Sequence, residues 1–277
     1  MKIVIITTEP SGDYLGFHLI KSLKKKKNIS LYGVGGKLMK SQNFKSWVPI
    51  EQFNTIGLFE VLIRLPKFLK ILNIVVRKII KLKPDIIVTI DSPSFNYRVI
   101  KKVKHLRNDK KVKIFHYVAP TVWAWKKYRA KIFSKLYDKL FTLFKFENKY
   151  FIDCGLKTKW VGHQVFFEKP EIKKEKIICF LPGSRETEII KNLKKMKPII
   201  VDTMNKYKNY KIFILNFENQ KKLIKSILYP FNVNIITEFD QKQKILSKSN
   251  LAVAASGSIS LELCKYRTPS IIVYDTN

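Results

Sequence analysis

At 277 residues, 46% of them hydrophobic, the chain is long enough for one large domain or two modest ones and apolar enough to bury a core, which excludes a disordered or fibrous protein. Lys and Arg number 54 against 21 Asp and Glu, a formal charge of +33. That charge draws polyanions (nucleic acid, anionic lipid headgroups or nucleotides), and it equally fits lysine used as the general solvated residue. The three cysteines, Cys154, Cys179 and Cys264, lack paired or metal-ligand spacing, so no disulfide framework is implied.

In chain order, MKIVIITTEPSGD carries one Lys and a short apolar run that meets Glu9 and Pro10. It lacks the length and cleavage region of a signal peptide and reads as a first strand. Strands are predicted at 2–7, 30–34, 85–90, 113–117, 139–144 and 158–161, with helical patterns between most of them and a helix at 14–27. After EKPEIKKEK the rhythm restarts, with strands at 177–181, 211–215, 232–236, 250–254 and 270–274. Two Rossmann-like, doubly wound α/β lobes, 1–165 and 166–277, explain this better than one wide sheet. Ligands of such folds lie beyond the carboxyl ends of the strands, so the residues just after each run are the candidates.

After the first strand, Ser11 or Asp13 reads as a cap of the helix at 14–27. After the run at 85–90 comes DSPSFN, where Asp91 sits at a strand tip and Pro93 prevents a flexible continuation. Asp91 is the general-base candidate, and a turn residue satisfying nearby N–H groups is the alternative. In VAPTVWAWKKYRAKIF, Trp123 and Trp125 are two apart, so on a helix one lines a cleft and the other packs. Such aromatics beside Tyr and Arg suit the flat face of a sugar or base. In LPGSRETEII an apolar run stops at Pro182, Gly183 and Ser184 and Arg185 follows, a strand-to-helix corner whose outward N–H groups and guanidinium suit a phosphate; a turn in which Arg185 pairs with Glu186 or Glu188 is the alternative. AASGSISLE repeats the pattern with Ser256, Gly257 and Ser258, and Glu262 lies one turn inside, where a carboxylate can bind a ribose diol.

No uncharged apolar run reaches the roughly eighteen residues of a spanning helix. The segment 57–82 reads as a helix with Val61, Leu62, Leu65, Phe68, Leu69, Leu72, Val75, Val76 and Ile79 toward the core. Phe59, Ile63 and Ile74 fall elsewhere among Lys70, Arg77 and Lys81, a pattern that describes an interfacial membrane surface, with Pro66 able to change the phase.

TEPSGD, IDSPSFN, HYVAPTVWAW, VGH, LPGSR and ASGSISLE, in this order and spacing, resemble the lipid-A-disaccharide synthases, inverting glycosyltransferases of the GT-B architecture. The resemblance runs from the first strand to near the last residue. It implies an acceptor-binding first lobe and a UDP-sugar-binding second lobe. It implies transfer of a diacylated glucosamine from UDP to the 6-hydroxyl of 2,3-diacylglucosamine 1-phosphate, on the cytoplasmic side and peripheral on the inner membrane. By the same resemblance Asp91 is the base, Arg185 and the Ser256–Ser258 turn hold the donor diphosphate, and Glu9, Ser11, Gly12, Asp13, Asn96, Trp123 and Glu262 are substrate-binding. No Asp-x-Asp pair is apparent, so helix N-termini and a guanidinium are expected to stabilise the leaving group without a metal, and no cofactor beyond the substrates is implied. His116 and His163 have no metal-ligand company and are expected to be structural.

The sequence departs from the family pattern at Thr8, commonly Gly, and at Gln164, commonly Pro. It stops at YDTN, short of an expected SLPN-type motif and closing helices, so the second lobe is expected to be incomplete and an inactive truncated copy is one alternative. A different UDP-sugar enzyme on the same architecture is another. A nucleic-acid-binding protein is the remote one, since no helix-turn-helix, zinc-finger or RNP pattern is present and no nucleic-acid partner is expected.

Overall fold

A computed structural model of the chain describes residues 1–26, 28–53, 61–109, 112–167, 169–257 and 259–273, with the backbone alone at 61–65. The chain divides into two compact units, Met1–Gln164 and Val165–Asn277.

The first unit runs β1 (Lys2–Ile6), α1 (Pro10–Leu23), β2 (Ser30–Val34), α2 (Lys37–Lys40), β3 (Lys45–Ser46), α3 (Val61–Leu82), β4 (Ile86–Ile90), α4 (Pro93–Val103), α5 (Leu106–Asp109), β5 (Lys113–Tyr117), α6 (Arg129–Leu136), β6 (Lys139–Thr142), α7 (Asn148–Ile152) and β7 (Thr158–Trp160). Its parallel sheet has the order β3-β2-β1-β4-β5-β6-β7, so the direction of winding reverses between β1 and β4. Side chains alternate along each strand. Val4, Ile6, Ile87, Ile114 and Leu140 therefore share one face, packed under apolar residues of α3, α4, α6 and α7. Ile3, Ile5, Val88 and Ile90 take the other, under Leu15 and Ile20 of α1 and Met39 of α2.

The second unit runs β8 (Glu175–Leu181), α8 (Glu186–Lys206), β9 (Lys211–Leu215), α9 (Lys221–Leu228), β10 (Asn234–Ile236), α10 (Phe239–Lys248), β11 (Ser249–Ala255), α11 (Ile259–Lys265) and β12 (Ser270–Val273). Its parallel order is β10-β9-β8-β11-β12, with the reversal between β8 and β11. Phe180, Ile214 and Val253 pack under Ile189, Leu193 and Met196 of α8, while Cys179, Ala252 and Ala254 pack under Leu246 of α10 and Leu263 of α11.

Each expected strand is present, its ends displaced by at most a residue or two, and β3 was not anticipated because two residues carry no alternation. The first helix starts at Pro10 rather than at 14: proline fits the first helical position, where its missing N–H is an orphan in any case, and Glu9 takes the N-cap position. Trp123 and Trp125 lie in a turn rather than on a helix, and both are exposed. On α3, Ile71, Leu72, Val75, Val76 and Ile79 are buried, but Leu69, assigned to the core face from periodicity, is exposed, whereas Phe68 turns inward against Phe95.

Candidate active-site residues in the two units

The switch point of the first sheet brings TEPSGD, which follows β1, beside DSPSFN, which follows β4. The N–H of Asp91 donates to the Tyr117 carbonyl at 2.9 Å, tying the strand tip to β5. Asp91 and Ser92 are consecutive non-glycine residues in the left-handed region, at φ 52° and 44°, and Val118, a β-branched residue at the tip of β5, has φ 76°. Such conformations cost on the order of 1–3 kcal/mol each and persist where surrounding contacts enforce them. Here Asn96, fully buried, donates its Nδ2–H to the carbonyls of Asp91 at 2.7 Å and Ile90 at 3.3 Å, and the Ser92 N–H donates to Asp91 Oδ1 at 2.8 Å. Among the described residues, the second carboxylate oxygen, Oδ2, accepts a single long bond, from Ser11 Oγ at 3.4 Å.

A hydroxyl relay runs alongside. Thr8 Oγ1 donates to Ser92 Oγ at 2.6 Å, and Ser92 Oγ donates to Glu9 Oε1 at 2.8 Å. Desolvation of the Glu9 carboxyl raises its pKa, the Asp91 charge raises it further, and the Ser92 hydrogen bond opposes both. Glu9, its proton affinity raised, and Asp91 thus share one strand-end cluster.

Three residues expected to bind substrate are engaged with the protein itself. Both oxygens of Asp13 are occupied, Oδ1 by the N–H groups of Gly36 (2.7 Å) and Met39 (3.1 Å) and Oδ2 by that of Leu38 (3.0 Å). Asp13 therefore caps α2 rather than its own helix. Gly12 is buried where a Cβ would fall 1.9 Å from Thr7 Oγ1, so α1 and the segment just after β1 pass too close there for a side chain. Asn96 holds backbone, as described. Trp123 does remain open: its ring stands edge-on to Phe146 at 5.6 Å between centroids and its side chain hydrogen-bonds Glu147, leaving it 44% exposed. Trp125 lies under Lys126 Nζ at 4.2 Å and the Arg129 guanidinium at 5.2 Å, so it does not pack in the core. His116 is fully buried, with Nδ1 at 2.6 Å from Thr89 Oγ1, and burial lowers its pKa to about 3.

In the second unit the switch point holds a cavity of about 240 Å³ between the β8 and β11 tips, lined by Gly183, Ser184, Ser256, Gly257 and Glu262. Gly183 takes φ 116°, where a side chain is strained, and a Cβ there would also strike the Glu188 carboxylate at 2.5 Å. The N–H groups of Ser184 and Arg185 do not point outward unpartnered as the sequence suggested. Glu188 Oε2 reaches back to accept both, at 3.0 and 3.4 Å, and closes the first turn of α8. The Arg185 side chain itself is exposed and, among the described residues, enters no ion pair. Ser258 lies outside the described residues. Desolvation raises the pKa of Glu262, against the lowering charges of Lys242 and Lys265.

The sequence reading missed Asn216, Phe217, Phe239 and Lys242, all of which line this cavity. Asn216 donates Nδ2–H to the Gly183 carbonyl at 2.9 Å and accepts the Phe217 N–H at 2.8 Å. Lys242 Nζ stands 4.4 Å from the Phe217 ring centre. Asn216 and Phe217 directly follow β9, so the search beyond each strand's carboxyl end, applied to every strand, finds them.

No group of three His, Cys, Asp or Glu side chains suited to a metal occurs among the described residues. On α3, Ile74 is exposed; Phe59 and the side chain of Ile63 lie outside the described residues. No helix among the described residues is long and apolar enough to cross a membrane.

Two doubly wound units, each with its polar side chains gathered at the switch point of a parallel sheet, place the chain among the GT-B-like α/β proteins. The UDP-GlcNAc 2-epimerase of Neisseria meningitidis superposes with a TM-score of 0.65 at 15% identity, over 100% of this chain and 83% of that one, and the spinosyn rhamnosyltransferase SpnG with 0.54 at 10%, over 100% and 81%. These likenesses concern the fold. The family model described as lipid-A-disaccharide synthetase matches residues 3–277. The lipid-A-disaccharide synthase of Rickettsia prowazekii (strain Madrid E) is 36% identical over 294 residues, and that of Rickettsia typhi 37% over 295, each match covering 100% of this chain and 76% of the relative. The chain belongs to the lipid-A-disaccharide synthetase family.

Proposed function

We propose that this chain acts as a lipid-A-disaccharide synthase, a hexosyltransferase that takes its donor sugar from UDP and delivers it to a lipid-A precursor. In the finer reading, the donor is UDP-2,3-diacylglucosamine and the acceptor 2,3-diacylglucosamine 1-phosphate. Asp91 removes the proton of the acceptor 6-hydroxyl as that oxygen attacks the anomeric carbon. The bond from that carbon to the diphosphate oxygen breaks from the opposite face, and UDP departs with the electron pair. The Arg185 guanidinium and the Ser256–Ser258 turn offset the charge that develops on the diphosphate, without a metal. Glu262 meets the ribose diol, and the exposed rings of Phe217 and Phe239 border the space for the base.

The observation that carries the base assignment is the Asp91 carboxylate itself. Its backbone is held in a strained conformation by Asn96, while Oδ2 is left nearly unengaged at the β1/β4 switch point. The test is UDP release from the acylated donor and acceptor. Asp91→Asn should lower kcat by roughly 10²–10⁴-fold with UDP affinity retained, and unchanged turnover would reject the role.

The same reading places the protein peripherally on the cytoplasmic face of the inner membrane. Ile74 is exposed on α3, a helix that also carries Lys67, Lys70, Arg77, Lys78 and Lys81, and an apolar residue among cations suits an anionic bilayer surface.

A further inference from the structure

The carboxylates of Glu9 and Asp91 lack a cationic partner. In a chain with 54 Lys and Arg, neither enters an ion pair among the described residues, although neighbouring like charges disfavour one another. One residue holds both. Ser92 donates its N–H to Asp91 Oδ1 at 2.8 Å and its hydroxyl proton to Glu9 Oε1 at 2.8 Å. A serine hydroxyl has a single proton, and because Thr8 Oγ1 donates to the same oxygen at 2.6 Å, that proton is committed to Glu9. Thr8 and Ser92 are buried, whereas Glu9 is exposed, so the two hydroxyls form a strut from the interior to an accessible carboxylate. The Glu9 backbone is fixed as well: it is the N-cap of α1, and its carbonyl accepts the Asp13 N–H at 3.0 Å.

The groups left unengaged here are all of one kind. Among the described residues Glu9 Oε2 has no hydrogen-bond partner, Asp91 Oδ2 has the single long bond from Ser11, and Oδ1 of the fully buried Asn96 has none. These are acceptors, so a complementary ligand brings hydroxyl donors. The acceptor sugar proposed above brings two: with positions 1, 2 and 3 substituted, its free hydroxyls are those at 4 and 6, on carbons either side of C5. A base alone does not choose between them. We infer that Glu9, positioned by Ser92 and Thr8, accepts a hydrogen bond from the 4-hydroxyl and so turns the 6-hydroxyl to Asp91. Glu9 is then the residue that sets the linkage, and Thr8 and Ser92 are positioning residues. The inference rests on the acceptor reading given under the proposed function. The Ser92 bond also opposes the burial and the Asp91 charge that raise the Glu9 pKa, which helps keep this carboxylate an acceptor.

Calorimetric titration of the full 277-residue chain with a short-chain acceptor, 2,3-dibutyrylglucosamine 1-phosphate, and with its 4-deoxy and 6-deoxy forms puts this to the test. The parent should bind the 4-deoxy form roughly 10–100-fold more weakly, the worth of a hydrogen bond to a charged group. Glu9→Ala should bind the acceptor and its 4-deoxy form alike yet keep the preference over the 6-deoxy form, which shows that the rest of the site is intact. Thr8→Val and Ser92→Ala should shrink the 4-hydroxyl preference and leave the 6-hydroxyl preference, whereas the conservative Thr8→Ser should retain both. Carboxyl NMR of Ser92→Ala should find Glu9 titrating at higher pH than in the parent, because the bond that lowers its pKa is gone. A parent indifferent to the 4-hydroxyl, or a 4-hydroxyl preference that survives Glu9→Ala, would overturn the inference, while a 6-hydroxyl preference lost in Asp91→Asn would still uphold the base. A chain that binds no acceptor would reject the acceptor reading and this inference with it.

Discussion

At the residue scale, the candidate base is defined by its backbone. Asp91 and Ser92 both adopt positive φ, and the neighbours that hold them there are Asn96, through two carbonyls, and the Thr8–Ser92–Glu9 hydroxyl relay. The Thr8 hydroxyl supplies the first link of that relay. Asn96→Ala should cost about 1–3 kcal/mol of stability through the carbonyls left unpaired, and it should lower kcat more than it raises KM, because Asp91 loses its fixed direction. A thermal melt and steady-state kinetics check both. At Gly12, a methyl group would meet Thr7 Oγ1, so Gly12→Ala should destabilise by about 1–3 kcal/mol. Adding Thr7→Ala should recover part of that loss, because it removes Oγ1 but keeps the Cβ that lies 2.9 Å away, and a double-mutant cycle in urea measures it. A Gly12→Ala variant as stable as the parent would show that α1 shifts freely.

At the scale of elements, helix caps explain most of what the sequence reading misplaced. Asp13 was read as a local cap because a carboxylate near a helix start usually serves that helix, yet its partners are Gly36, Leu38 and Met39, more than twenty residues away. Only the fold brings α2 to it. Asp13→Ala should cost about 2–3 kcal/mol, since three N–H groups lose a charged acceptor, and should leave UDP binding intact because the proposed nucleotide corners belong to the other unit. Isothermal titration beside chemical denaturation separates the two readouts. On α3, periodicity found most of the buried stripe but placed Leu69 wrongly, because at about 100° per residue it lies at the edge of the stripe centred on Phe68, Leu72, Val75 and Ile79. Leu69 and Ile74 both reach solvent, so Leu69→Ser with Ile74→Ser should reduce association with anionic liposomes several-fold at low salt. Association unchanged by the pair would remove α3 from the interface.

For the whole molecule, His116 ties stability to pH. Its folded pKa, about 3, lies below the ordinary value near 6.5, so the unfolded chain binds a proton that the fold refuses. Its contribution is therefore complete above pH 6.5 and is lost as pH falls toward 3, with a slope of about 1.4 kcal/mol per pH unit. His116→Gln should flatten that slope in acid even though it lowers stability at neutral pH. An unchanged slope would mean that other groups drive acid unfolding.

The sequence alone determined the βα rhythm, the strands and the candidate residues at their carboxyl ends, because those follow from local alternation, turn residues and chain order. It also carried the family motifs. Only the tertiary structure decided which polar groups are already spent. Glu188 takes the N–H groups of the Arg185 corner, Asp13 takes those of α2, and Asn96 takes the carbonyls beside Asp91, whereas Asn216 and Lys242 line the cavity of the second unit unannounced. A hydrogen bond satisfies a group through whatever the fold places within about 3 Å of it, and for most of these residues that neighbour belongs to another element of the chain.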